Sequence, residues 1–151
     1  MQDEVGGVLS RLTLLANAPG LRIEKARAMA EGIKAARAYR WVGLYDVTPE
    51  EVVAIAWTGS DPPAYPRFSV TKGLSGVAVA NRKPVVVQDV TTDSRYLTAF
   101  GSTRAEAIFP VAVDGRIVGT IDVESDRVNA FGPEDEEFLK TCAVILTPLW
   151  L

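Results

Sequence analysis

Histidine is absent from these 151 residues and cysteine occurs once. A lone Cys142 cannot close an intramolecular disulfide. Without histidine there is no Cys/His zinc set, no Ser-His-Asp or Cys-His catalytic group and no histidine-ligated haem, and neither a metal nor another cofactor is expected. Long apolar runs are missing too. No stretch reaches the ~18 apolar residues of a membrane span, so no membrane partner is expected. The start, Met-Gln-Asp-Glu-Val, lacks the basic and apolar segments of a signal peptide, which points to a cytoplasmic protein. Net charge is small as well. The balance of 16 Lys/Arg against 19 Asp/Glu leaves a net −3, too small a field to suggest a nucleic-acid partner.

What is present is globular. An apolar fraction of 48% and a charged fraction of 23% fit a folded chain, and the length fits one domain spanning residues 1–151. Val5, Val8, Leu9, Leu12 and Leu15 recur at three- and four-residue spacing, the mark of an amphipathic helix. Ala18-Pro19-Gly20 interrupts it, and a second, alanine-rich helix follows from about Arg22 to Ala38, with Ile23, Ala26, Ala30 and Ile33 on one stripe. The period then changes. Tyr39 to Val47 and Val52 to Trp57 are aromatic and β-branched, a strand pair around the turn Thr48-Pro49-Glu50-Glu51. A proline-rich loop precedes a short strand at Phe68–Val70. Gly73-Leu74-Ser75-Gly76 leads into a short helix for which Asn81 is the expected C-cap. Pro84 opens a strand, and Asp89 to Thr103 is a polar connection long enough to suggest function.

The clearest local signal is Ala107–Val113, Asp114-Gly115 and Arg116–Val123, two strands around a two-residue hairpin turn. Pro133 with Glu134, Asp135, Glu136 and Glu137 starts the last helix, where the acids oppose the helix dipole favourably. Cys142 falls in that helix's apolar run, as a buried and inert thiol. The class is α+β: an antiparallel sheet with terminal helices covering one face.

Gly73-Leu74-Ser75-Gly76, Val87-Gln88-Asp89-Val90, the Glu106–Pro110 strand, Gly115–Gly119 and Phe131-x-x-x-Asp135-Glu136, in this order, resemble the GAF family of small-molecule sensor domains. The resemblance implies a pocket on the sheet face opposite the terminal helices, roofed by the short helix and the Asp89–Thr103 loop. Within that family the pattern is similar to the free methionine-R-sulfoxide reductases, which are stand-alone GAF proteins. Gapless alignment from Gly73 to Pro110 puts Ser75 and Ala99 where those enzymes carry two cysteines, and Tyr65 falls at a third. Sulfoxide reduction by that route needs one thiolate to attack sulfur and a second to resolve the product. The expectation is therefore a binding module and not an enzyme. Glu106, Asp122 and Glu124 match residues that hold the ammonium group of free methionine sulfoxide in the reductases. Trp41, Tyr65, Ser75, Asp89 and Tyr96 complete the expected ligand-binding set.

Three functional classes follow. The first is a sensor domain in signal transduction, its ligand an amine or amino acid. The second is a reductase-like enzyme, and the third a dimerisation module whose pocket is packed shut by Leu74, Val77, Tyr96 and Phe100. Phe131-x-x-x-Asp135-Glu136 also echoes cyclic-nucleotide-binding GAF domains. Glu124-Ser125 stands where their Asn-Lys would be, so Phe131 is expected to pack and the acids to start a helix. Apolar residues near both chain ends (Val5, Leu9 and Leu12; Leu146, Leu149, Trp150 and Leu151) suggest a homodimer through the terminal helices. One geometric condition stands out. In an unbroken hairpin Glu106 would face away from Asp122 and Glu124, so convergence of the three acids requires a bulge, expected between Phe109 and Val111.

Overall fold

A computed structural model describes residues 2–97 and 100–151. Helices α1 (Gln2–Asn17) and α2 (Arg22–Ala36) precede strands β1 (Trp41–Val47), β2 (Glu51–Thr58) and β3 (Arg67–Ser69). Helix α3 (Gly73–Asn81), strands β4 (Val85–Val87), β5 (Ala105–Val113) and β6 (Arg116–Ser125), and helix α4 (Pro133–Ile145) complete the chain. The six strands form one antiparallel sheet in the order β3-β2-β1-β6-β5-β4. The central strands β1 and β6 are joined through the ladder, not by a direct connection.

Alternation along these strands separates two environments. Val42, Leu44, Ala107, Phe109, Ile121 and Val123 point to the helices, where they join Met29, Ile33 and Leu139 in the main core. Trp41, Tyr45, Glu106, Asp122 and Glu124 take the opposite face. In β6 the pattern is visible in the residues themselves, as Thr120-Ile121-Asp122-Val123-Glu124 alternates polar and apolar. Short side chains on α2, Ala26 and Ala30, let that helix lie close to the sheet. Ile23 does not share their stripe; it is half exposed, and Met29 takes the buried position instead. Helix α3 runs one residue further than expected, and Arg82, not Asn81, adopts the left-handed cap conformation with φ 57°.

Apolar residues at the chain ends are largely consumed inside the molecule. Leu12, Leu146 and Leu149 are buried, whereas Leu14, Leu21, Val144 and Leu151 remain exposed. Among the described residues, no helix is long and apolar enough to cross a membrane.

The bulge lies close to its expected place, on the other strand. Pro110 pairs with Thr120 in the ladder, and β4 reaches only to Ile108, so β5 is an edge where proline's missing donor is tolerated. The register instead shifts between Val111 and Ala112, opposite Gly119 and Ile117, which makes Val118 the extra residue. The consequence is the one required: Glu106 stands across from Glu124, and Ile108 across from Asp122.

Candidate functional site

Glu106 from β5 and Asp122 and Glu124 from β6 meet on the face opposite the terminal helices, each offering an oxygen within 4.8 Å of the others. All three are buried, at 6%, 7% and 1% exposure. Trp41 lies across the ladder from Glu124, and Gly43 across from Asp122. The missing side chain at Gly43 matters, because a Cβ there would run into the Trp41 ring and come within 2.9 Å of Tyr45. Phe100 packs on Trp41 with ring centroids 5.3 Å apart, and Phe68 meets the edge of Tyr45 at 6.1 Å. The Trp41 indole N–H is held by the Asp61 carbonyl at 2.9 Å.

Helix α3 closes the space from above with Leu74 and Ser75. Its opening glycines have distinct reasons. Gly73 sits at φ +66°, and Gly76 approaches the Thr71 backbone so closely that a Cβ would lie 2.7 Å from its carbonyl carbon. The remaining void is about 30 Å³, room for about two water molecules. An ammonium-sized group fits this void, which is smaller than a whole amino acid.

The electrostatics of this cluster are set by burial and by the mutual repulsion of its acids. Three carboxylates this close and this buried, with no basic side chain bonded to them among the described residues, resist ionising together. Burial first, then the charges of Asp122 and Glu124, push Glu106 well above the carboxylate range. Burial raises Asp122 to about 6. Burial and then the charge of Asp122 push Glu124 up to about 8, although Thr103, Tyr96 and Arg40 pull the other way. The Tyr45 hydroxyl is raised for the same reasons, burial and then the three acids. Among the described residues no donor reaches Asp122 Oδ1, a buried acceptor.

Of the residues expected to bind ligand, Trp41, Tyr65, Ser75, Glu106, Asp122 and Glu124 line this pocket. Tyr96 reaches it through its hydroxyl, 3.3 Å from Glu124 Oε1. Asp89 has a different part. Its carboxylate accepts from the Thr91 amide at 3.0 Å and the Thr91 hydroxyl at 2.6 Å, capping the turn Val90–Thr92. A polar residue before a Val-Thr-Thr turn does that task locally, and sequence alone cannot tell the two uses apart. Ala99 lies outside the described residues. Leu74 and Phe100 line the pocket without filling it. Sequence reasoning passed over Tyr45, although its position four residues after Trp41 in one strand places both on the same face, and it passed over Thr103, which bonds Glu124 from a loop. Phe131 is buried, and Asp135 Oδ2 accepts from the Gly132 amide at 2.9 Å at the start of α4, as the motif's structural interpretation requires.

The chain belongs to the GAF domain family, whose model matches residues 25–147. Similarity extends to protein YtsP of Bacillus subtilis, 30% identical over 70% of this chain and 65% of that protein, so the match spans just under two thirds of that relative. Among solved structures, the type II free methionine-R-sulfoxide reductase of Thermoplasma acidophilum is 31% identical, with a TM-score of 0.80 over 85% of this chain and 94% of that one. The free methionine-R-sulfoxide reductase of Neisseria meningitidis, solved with its substrate, is 27% identical, with a TM-score of 0.87 over 97% and 87%. Both are enzymes. That overturns the expectation of a non-enzymatic module, which rested on three missing cysteines and gave too little weight to the rest of the pocket. The one thiol present does stand apart from it. Cys142 is fully buried in the core on the helix side of the sheet, where burial pushes it up to about 12.

Proposed function

We propose that the acid-lined pocket takes a free amino acid by its ammonium group, with methionine sulfoxide as the ligand it is fitted to, in the manner of the reductases it resembles. One observation carries this reading: three buried carboxylates within 4.8 Å of one another, one of their oxygens without a donor among the described residues. An ammonium group supplies three donors and the opposing charge that burial has withheld. Reduction in this pocket draws its two electrons from a thiol co-reactant outside the chain. Two thiols become a disulfide, the sulfoxide oxygen leaves as water, and the sulfide remains.

Calorimetry with L-methionine sulfoxide, L-methionine and N-acetylmethionine sulfoxide tests the binding, and chromatographic detection of methionine in the presence of a dithiol tests the chemistry. Binding of the free amino acids should exceed that of the N-acetyl compound at least ~10-fold, because only they carry the ammonium. Equal affinity for all three compounds would remove the ammonium site.

A second reading has its own support. Ser75 and Tyr65, both lining the pocket, stand at positions where the reductases carry sulfur. Ligand binding without turnover would select a cytoplasmic sensor domain in signal transduction that reads the same amino acid. A homodimer through the terminal helices would have to use Leu14, Leu21, Val144 and Leu151, which remain exposed. A dimeric mass by light scattering would support that assembly, and a monomeric one at micromolar concentration would dismiss it.

A further inference from the structure

Glu124 differs from its two acidic neighbours in how it is held. Its Oε1 accepts from the Thr103 hydroxyl at 2.8 Å and from the Tyr96 hydroxyl at 3.3 Å. Both donors come from the segment joining β4 to β5, not from the sheet that carries the acids. Among the described residues no donor reaches Oε2.

Thr103 is itself fixed. Its amide donates to the Phe100 carbonyl at 3.1 Å, and the next amide, that of Arg104, donates to the Ser125 carbonyl at 2.8 Å. The Arg104 carbonyl in turn accepts from the Val90 amide at 2.8 Å. These bonds extend the β5–β6 ladder by a step and tie it to the start of the connecting segment. The Thr103 hydroxyl is therefore delivered to Glu124 by a rigid backbone, at 3% exposure.

We propose that Thr103 is a positioning residue of the pocket: its hydroxyl commits one oxygen of Glu124 to the protein and leaves the other turned to a cationic ligand. This rests on the ammonium-binding reading above and adds how one of the three acids is prepared for it. An O–H donor to a carboxylate stabilises the ionised form and restricts the rotation of the group. Thr103 thus opposes the effects that keep Glu124 protonated, namely burial and the charge of Asp122 beside it on β6. Glu106 faces the same space from β5, and Tyr45 from β1. Tyr96 assists from the connecting segment, and Arg40, just before β1, lowers Glu124 by its charge while pairing with Asp126 at 3.4 Å. Thr103 is the shorter of the two direct bonds and belongs to the more firmly anchored residue.

The test uses Thr103→Val, which keeps the shape and removes the donor, Thr103→Ser, which restores it, and Tyr96→Phe, which removes the longer bond. Carboxyl-carbon NMR follows the titration of Glu124 in the ligand-free proteins. Calorimetry then follows L-methionine sulfoxide binding from pH 6 to 9. In Thr103→Val the Glu124 titration should move upward and binding at pH 7 weaken about tenfold, recovering as the pH rises, while Thr103→Ser stays near the wild type. Tyr96→Phe should give a smaller shift in the same direction, and it stands in if Thr103→Val does not fold. Unchanged Glu124 titration in both donor-removing variants overturns the proposal. A shifted titration in a protein that binds no amino acid upholds the positioning role and removes only the ammonium reading.

Discussion

Two buried acidic regions lie on opposite faces of one sheet, and they are finished in opposite ways. On the helix side, Asp135 accepts from the Arg37 guanidinium at 2.6 Å, the Tyr39 hydroxyl at 2.7 Å and the Gly132 amide at 2.9 Å. Burial pushes its carboxyl up, but the bonds from Tyr39, Gly132 and Arg37 together outweigh that and hold it below its usual range. On the pocket side, Glu106, Asp122 and Glu124 are equally buried and have no basic side chain bonded to them among the described residues; all three are raised. A satisfied buried acid supports the fold. Buried acids gathered without a basic partner repel one another, and that raises their carboxyls.

The largest effect expected from this contrast separates stability from binding. Asp122→Asn should weaken an amino-acid ligand by about 10- to 100-fold, since a charge-assisted bond is lost, while leaving stability equal or slightly higher. Asp135→Ala should do the reverse. It removes a helix cap and strands the buried Tyr39 hydroxyl, costing about 2–3 kcal/mol in urea denaturation with ligand affinity little changed. If both variants lose stability alike, the two regions do not differ as argued.

The faces should also respond oppositely to pH. A carboxyl raised by folding contributes stability that is full below its unfolded value and is lost as pH rises through its folded one. For Asp122 and Glu124 that loss runs up through about 6 and about 8. Asp135, lowered by folding, contributes above its unfolded value and loses that contribution as pH falls. Melting of the ligand-free protein should therefore decline between about pH 5 and 8, and the upper part of the decline should flatten in Glu124→Gln. A melting temperature that is level across this range in the wild type would contradict this account of the pocket.

Glycines sharpen the comparison on a smaller scale. A Cβ at Gly119 would overlap the Trp150 ring and lie 2.7 Å from the Tyr45 carbonyl oxygen. Gly119→Ala is expected to cost about 1–3 kcal/mol by overpacking. Gly43→Ala presses on Trp41 and Tyr45 in the pocket instead, so its chief effect should be on ligand affinity. Calorimetry and denaturation on both variants distinguish the two outcomes. Smallest of all is the effect of probing Cys142, whose thiol should resist an aromatic disulfide reagent until the protein is unfolded.

Much of this arrangement is local and so is legible in the chain alone. Asp114-Gly115 takes positive φ at both residues, 50° and 78°, and closes the hairpin as its composition demands. The alternation Thr120-Ile121-Asp122-Val123-Glu124 places two acids on one face of any strand it forms. Pro133 and the acids after it start α4 wherever that helix packs. Other decisions depended on partners distant in sequence. Whether Glu106 joins the other acids turns on a single extra residue, Val118, because a one-residue slip moves every following side chain to the other face. Asp89 and Glu124 are both acids beside threonines, yet one caps its own turn and the other is held from a loop about twenty residues away. Local chemistry permits either use. Only the folded backbone, by setting which donors come within 3 Å of which oxygen, decided between a cap and a binding site.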